Sequence, residues 1–248
     1  MSNTSNAGER PRDKTAIAAY ARFAGLFFFI SIVAGGFGEG YAPSLLIDFG
    51  DAAKTVANLQ AHDMLFRLSF AAYLVEGLCD IALAVIFYVL LKPVSRGLAL
   101  LAAMFGVASA ILYGACELFY FALPHVLLAG GPALNGFTPG QVDALVLISF
   151  KLFNYGAGLF LIFYGTGWIL RGWLMIRSGY IPKILGILMI VGGLGFVVRT
   201  LSTVLAPAWS SPVMLMLLLP GGVLLGLWLL IRGVDPAEWH ARLVAGPA

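Results

Sequence analysis

The sequence predicts an all-α membrane protein, a six-transmembrane-helix bundle with both termini in the cytoplasm. Of its 248 residues, 60% are hydrophobic and 11% are charged, and the mean hydropathy is +0.94. A soluble domain is about 25% charged, so this chain has too few charges to cover a globule in water. The composition therefore excludes a cytosolic enzyme and a nucleic-acid-binding protein. The apolar runs and the placement of the basic residues then predict how many helices there are and which way they point.

Six apolar runs are long enough to cross a membrane, because about 20 residues span a bilayer core as a helix. Together they predict a transmembrane domain over residues 17–231. A disordered cytoplasmic tail is expected over residues 1–16, and a second cytoplasmic tail over 232–248. The predicted spans are 17–38, 68–91, 98–123, 144–170, 184–205 and 213–231.

The direction of the spans follows from the basic residues in the short loops, which collect on the cytoplasmic side of bacterial membranes. Eleven of the 15 basic residues lie at one set of ends, and only Lys54 and Arg67 lie in the opposite loops. The sequence therefore predicts that both termini lie in the cytoplasm. The eleven are Arg10, Arg12, Lys14, Arg22, Lys92, Arg96, Arg171, Arg177, Lys183, Arg232 and Arg242.

The two outer segments, about 39–67 and 124–143, are longer than simple turns. In the first, Asp51 is placed to cap a short helix that carries Val56 and Leu59 on one face. In the second, Thr138-Pro139 is typical of a helix start, with an N-cap followed by proline. The inner loops are tight by comparison, so we expect any ligand to approach from the outside.

Charged residues inside the spans are the most informative feature for function. Glu76 and Asp80 are four residues apart and therefore share one face of span two. An isolated charge at the centre of a bilayer costs about 2.5–3.5 kcal/mol, so we expect these side chains to face inward and to pair or carry a proton. The candidate binding or proton-relay residues are Glu76, Asp80, Glu117, Arg67, Lys151, Arg199 and His125.

Two interpretations of this polar cluster stay open from the sequence. In the first, an outward-facing cluster binds or conducts a small solute or a proton, with the three acids exchanging protons or cations and the bases as counter-charges. In the second, the charges form a structural network, and the protein is a non-catalytic scaffold or sensor subunit that acts through a protein partner. An intramembrane enzyme is the least favoured interpretation, because no catalytic motif is present.

Cofactor and metal sites are not predicted, and no catalytic residue is assigned. His62 and His125 show no metal-ligand spacing. Cys79 and Cys116 lie in apolar spans and are expected to be small packing residues. Membrane lipid is the expected surrounding.

Small residues recur at every fourth position in two spans, a pattern that lets helices approach closely. They are expected to make contacts within the bundle or to form the seam of a homo-oligomer. The residues concerned are Ala102, Gly106, Ala110 and Gly114 in span three, and Gly222 and Gly226 in span six.

The run from Gly50 to Gly106 resembles a bacterial membrane family known as domain of unknown function 4386. The features that carry this resemblance are Leu-Phe-Arg at Arg67, Cys79-Asp80 and the turn at Pro93. A second run, with Ser178-Gly179-Tyr180-Ile181-Pro182 and Gly186, is similar to the inner loop of that family and the start of its fifth span. The resemblance extends from about Tyr20 to Ile231. It implies a multi-span bacterial inner-membrane protein and no particular activity.

Overall fold

The computed structural model of the chain describes residues 11–206 and 219–246, and this part of the chain is helical with no strand. Five of its helical segments are long and apolar enough to cross a membrane. Large apolar side chains such as Val33, Leu78 and Ile111 are more than 60% exposed on the outside of the bundle, as lipid-facing side chains are. The five segments are Ala16–Leu46, Asp63–Leu91, Arg96–Ala129, Pro139–Ser178 and Lys183–Leu205.

The first span extends beyond its predicted end. Helix α1 (Pro11–Gly35) runs into a π-helical turn (Gly36–Tyr41), and α2 (Ala42–Leu46) follows without a break. The sequence predicted an end at residue 38, because the next residues are a glutamate and a glycine. The apolar residues of α2 continue the helix, so that Glu39 lies within the first span.

Helix α3 (Ala52–Ala61) forms as the sequence predicts. The Asp51 side chain accepts a hydrogen bond from the Lys54 backbone N–H at 2.9 Å and so caps the helix. Val56 and Leu59 are buried, and α3 packs against α7. We call this end of the bundle the outer end.

The remaining helices pack as antiparallel neighbours. α4 packs against α1 and α5, and α7 packs against α5 and α8. A second π-helical turn (Leu118–Ala122) follows α5 directly and leads into α6. The bounds are α4 (Asp63–Leu91), α5 (Arg96–Glu117), α6 (Leu123–Ala129), α7 (Pro139–Ser178), α8 (Lys183–Leu205), α9 (Leu219–Ile231) and α10 (Pro236–Ala245).

Helix α7 has 40 residues and continues past the predicted end of span four at residue 170. Its start is as predicted: Thr138 and Gln141 form a reciprocal capping box, with Pro139 in the first turn. The sixth predicted span, 213–231, is described only from Leu219, as the 13-residue apolar helix α9. Residues 213–218 of the predicted span lie outside the described part of the chain.

Glycines seven residues apart bring α7 and α8 into backbone contact. A Cβ at Gly172 would lie 2.5 Å from the carbonyl oxygen of Gly186, and a Cβ at Gly165 would lie 2.6 Å from that of Gly193. One heptad nearer the outer end, the Thr200 hydroxyl donates to the Gly158 carbonyl at 3.0 Å. Without side chains between them, the two backbones pack directly.

The inner end, opposite α3, is closed by the C-terminal helix. The carbonyl oxygen of Leu90 accepts hydrogen bonds from the Tyr180 hydroxyl at 2.6 Å and from the Trp239 indole N–H at 2.9 Å. α10 also contacts α1. The two hydrogen bonds join the inner end of α4 to α10 and to the turn between α7 and α8.

We expect Gly172→Ala to destabilise the bundle by about 1–3 kcal/mol, the usual range for an overpacked core. The new methyl group has no space between α7 and α8. Thermal unfolding of the detergent-solubilised protein measures the loss. Gly114→Ala is the matched control, because nothing lies within 4 Å of a Cβ there and alanine is the better helix former. Equal stability of the two variants would show that α7 and α8 separate at no cost.

Candidate functional site

A cavity of about 650 Å³ lies at the outer end of the bundle, between the π-helical turn of the first span, α7 and α8. Its polar lining includes Glu39, Asn154, Arg199 and Thr200. Much of the remaining wall is aromatic. The aromatic lining includes Tyr73, Tyr113, Tyr120, Phe150, Phe153, Phe160 and Phe196.

Glu39 lies in the π-helical turn and lines this cavity. It accepts a hydrogen bond from the hydroxyl of Tyr113, which is 4% exposed. Arg199 lines the same cavity and is within electrostatic range of Glu39. The sequence placed Glu39 in the outer segment. The apolar residues that follow it, Ala42–Leu46, are the signal that could have placed it in the span.

Glu76 and Glu117 lie close by without partners. Oε2 of Glu76 and both carboxyl oxygens of Glu117 are buried and accept no hydrogen bond in the described part of the chain. Glu117 is 4% exposed. A Cβ at Gly35 would lie 2.7 Å from Oε1 of Glu76, so the absence of a side chain at that position makes the space for this carboxyl group.

Asp80 lies about one helical turn nearer the inner end than Glu76 and is 6% exposed. Ser31 donates a hydrogen bond to its Oδ1 at 3.2 Å. The base within electrostatic range is Arg171, which is 3% exposed. The guanidinium carbon of Arg171 lies 5.7 Å from the ring centre of Phe87, a distance typical of a cation–π contact.

Arg171 corrects the sequence analysis, which counted it among the basic residues of the inner loops. It lies inside the bundle because α7 continues to Ser178. Gly106 makes room for it, since a Cβ there would lie 2.7 Å from Nη2 of Arg171 and 3.0 Å from Cβ of Ala84. The stripe of small residues on α5 thus also accommodates a cation.

Three predicted members do not join the cluster. Arg67 donates to Asp63 at 2.7 Å, one turn earlier on the same helix, and both side chains are about half exposed. Asp63, and not one of the buried acids, is therefore the partner of Arg67 in this structure. Lys151 is exposed on α7. His125 is exposed and stacks on Phe121, with the ring centres 5.4 Å apart.

The acids outnumber the bases in the described bundle interior. Its four carboxyl groups, those of Glu39, Glu76, Asp80 and Glu117, face two guanidinium groups, those of Arg171 and Arg199. Each arginine has its own acid in electrostatic range, Asp80 and Glu39 respectively. Glu76 and Glu117 are left without a counter-charge among the described residues. We call the four acids, Glu39, Glu76, Asp80 and Glu117, the acidic cluster.

The loop at the cavity mouth is ordered by a separate ion pair outside the spans. The Lys54 ammonium group lies 2.9 Å from Asp48 and, by donating a hydrogen bond, holds the pKa of that carboxyl group below its usual range. Thr55 hydrogen-bonds the backbone N–H and carbonyl of Asp48. Ile47 and Phe49, on either side of Asp48, line the cavity, so this ion pair helps to fix its outer wall.

The fold and the acidic cluster together define a polytopic α-helical membrane protein with ionisable side chains in its interior. The chain belongs to the family described as Domain of unknown function (DUF4386), which matches residues 23–233. It is 29% identical over 159 residues to an uncharacterized protein of Archaeoglobus fulgidus, an alignment that covers 64% of this chain and 80% of that protein. No solved structure matches the chain. The family match contains every residue of the acidic cluster and both arginines.

We expect Arg171→Gln to lower stability by about 3–5 kcal/mol, because it leaves Asp80 buried without a positive charge. In the Asp80→Asn background the same change should cost much less, since no carboxylate is then uncompensated. Thermal unfolding of the four proteins in detergent gives the coupling between the two sites. Arg177→Gln is the control, because Arg177 is exposed and packs on Trp173. Additive losses would contradict an interaction between Asp80 and Arg171.

Proposed function

We propose that this protein is a six-span protein of a bacterial inner membrane that takes up a small solute or protons from the outer side. The cavity lined by Glu39 and Arg199 is the site of entry, and the acidic cluster beside it is the site of binding. The observations that carry this proposal are a cavity at the outer end of the bundle and three buried carboxyl oxygens of Glu76 and Glu117 that have no partner among the described residues.

The argument rests on what a buried carboxyl group requires. In a low-dielectric interior it must carry a proton, pair with a cation or accept hydrogen bonds. A purely structural network would supply these partners from the protein. The acidic cluster leaves three carboxyl oxygens of Glu76 and Glu117 without partners in the described part of the chain. Protons or a ligand from the cavity are the partners that remain.

The small-residue stripes give less support to a scaffold built on a helix–helix seam. Ala102, Gly106 and Ala110 are buried inside the bundle, and Gly226 lies against Phe28, where a Cβ would be 3.2 Å away. These positions already pack against this chain's own helices. Only Gly114 of the α5 stripe is exposed.

The contact between the first and last described helices supports an even number of membrane crossings. α10 bonds to Leu90 at the inner end and contacts α1, as it would if α1 began and α9 ended on the same side of the membrane. The excess of basic residues in the loops at that end favours the cytoplasmic side. Helix α9, with the residues before it, is the sixth span in this proposal.

We expect reporter fusions after Ala248 and after Gly136 to report opposite sides of the membrane. A fusion after Ala248 should be active in the cytoplasm, and a fusion after Gly136 in the periplasm, because an odd number of spans separates the two points. Each site is tested with a cytoplasmic and a periplasmic reporter, so that each fusion has its own control. A periplasmic C-terminus would contradict the six-span topology.

We expect a cysteine at Asn154, in a Cys79→Ala/Cys116→Ala background, to react with a charged, membrane-impermeant thiol reagent added from the outside. Asn154 lines the cavity, where water allows the thiol to ionise. Ile148→Cys is the matched control. Ile148 lies on the same helix and is exposed on the side of the bundle that faces lipid in this proposal. Equal, slow labelling at both positions would contradict a cavity open to water.

A further inference from the structure

We propose that the solute bound in this cavity is a small organic cation, held between the tyrosine rings and the carboxyl groups of the acidic cluster. This inference rests on the proposed function and names the chemical class of the ligand. The observation behind it is that tyrosines lining the cavity lie in the field of the carboxyl groups.

Tyr73 and Tyr113 are the point at which these three features meet. Both line the cavity, and their rings contact each other edge to face, with centres 5.6 Å apart. Glu39, Glu76 and Glu117 all lie within electrostatic range of both tyrosines. A ligand in this cavity therefore lies beside two rings that are in the field of three carboxyl groups.

The charge balance of the cavity region favours a cation. Arg199 can compensate one acid, and Glu39 is the acid in its range. Glu117 is 4% exposed and both its oxygens lack partners among the described residues. A cation near Tyr73 and Tyr113 would supply the missing positive charge, whereas an anion would add to the excess negative charge.

The size and walls of the cavity favour an organic cation. Its volume of about 650 Å³ lies within the range of small-molecule sites. Aromatic faces attract alkylated ammonium groups, which are weakly hydrated and fit apolar walls. Phe153 and Phe160 continue the wall beside Tyr113, with ring centres 6.1 and 4.4 Å from its own.

The tyrosine rings are held in place before any ligand binds. Tyr113 donates its hydroxyl hydrogen to Glu39, and the Tyr120 hydroxyl lies 3.0 Å from that of Ser69. Both residues are at least 96% buried. Because these side chains are already fixed, little conformational entropy remains to be lost on binding.

The test compares probes of one shape and different charge on the full-length, detergent-solubilised protein. Choline is the cation, 3,3-dimethylbutan-1-ol its neutral isostere and 3,3-dimethylbutanoate an anion of similar shape, and tetraethylammonium is a larger cation. Binding is measured as the shift of the unfolding temperature at constant ionic strength. We expect both cations to stabilise the protein, and the neutral and anionic probes to bind about tenfold more weakly or not at all.

Glu117→Gln should weaken binding of the cations about tenfold and leave the weak binding of the neutral probe unchanged. Glu238→Gln, which removes an exposed acid on α10, is the matched control and should bind as the wild type does. If Glu117→Gln fails to fold, Glu39→Gln is read in the same way, because Glu39 lines the cavity itself.

Three outcomes would overturn the inference: neutral and cationic probes that bind equally, cation binding that is the same in Glu117→Gln and Glu238→Gln, or no binding of either cation. In each case, labelling of the Asn154→Cys variant from the outside would leave the proposed function standing with another class of solute. If that cysteine is also unreactive and no probe binds, the proposed function fails as well.

Discussion

The cost of a charge in an apolar interior is the constraint on which this structure depends. The bundle has lipid-facing helices on the outside and at least six ionisable side chains within. Each carboxyl or guanidinium group needs space for its polar head and a partner of opposite charge, a proton or a hydrogen-bond donor. The arrangement of the glycines, the two π-helical turns and the unusually long α7 can be understood as ways of meeting this need.

Glycine meets the need for space in two different ways. Between α7 and α8, Gly165, Gly172, Gly186 and Gly193 bring two backbones into contact and leave no space at all. Gly35 and Gly106 instead leave a gap that a neighbouring helix fills with the head of a charged side chain. Both uses look alike in a sequence, since each is a small residue at a helical repeat. Whether such a glycine makes backbone contact or leaves a gap for a charged side chain depends on the residue that the neighbouring helix places opposite it.

The sequence predicted the elements that depend on local chemistry. The cap at Asp51 and the capping box at Thr138 involve residues within one turn, and the hydropathy of each span is a sum over its own residues. Glu39 and Arg171 were misplaced because a charge lowers the local hydropathy equally at a membrane surface and in a protein interior. Their correct positions depend on partners far along the chain, Tyr113 for Glu39 and Asp80 for Arg171. A single sequence does not contain those pairings, because helix rotation and helix order determine them.

The two ends of the molecule differ in a way that agrees with an outer binding site. At the inner end, Leu90 joins α4 to Tyr180 and Trp239, and Gly172 of α7 packs directly against Gly186 of α8. At the outer end, both π-helical turns lie beside an acid of the cluster: one contains Glu39, and the other directly follows Glu117. A π-helical turn inserts one residue into a helix and is common at functional sites. The irregular backbone thus lies where the carboxyl groups meet the cavity, and the regular, closely packed backbone lies where the bundle is closed. Stability alone does not account for this asymmetry, because a bundle of apolar helices is stabilised by regular, close packing along its whole length.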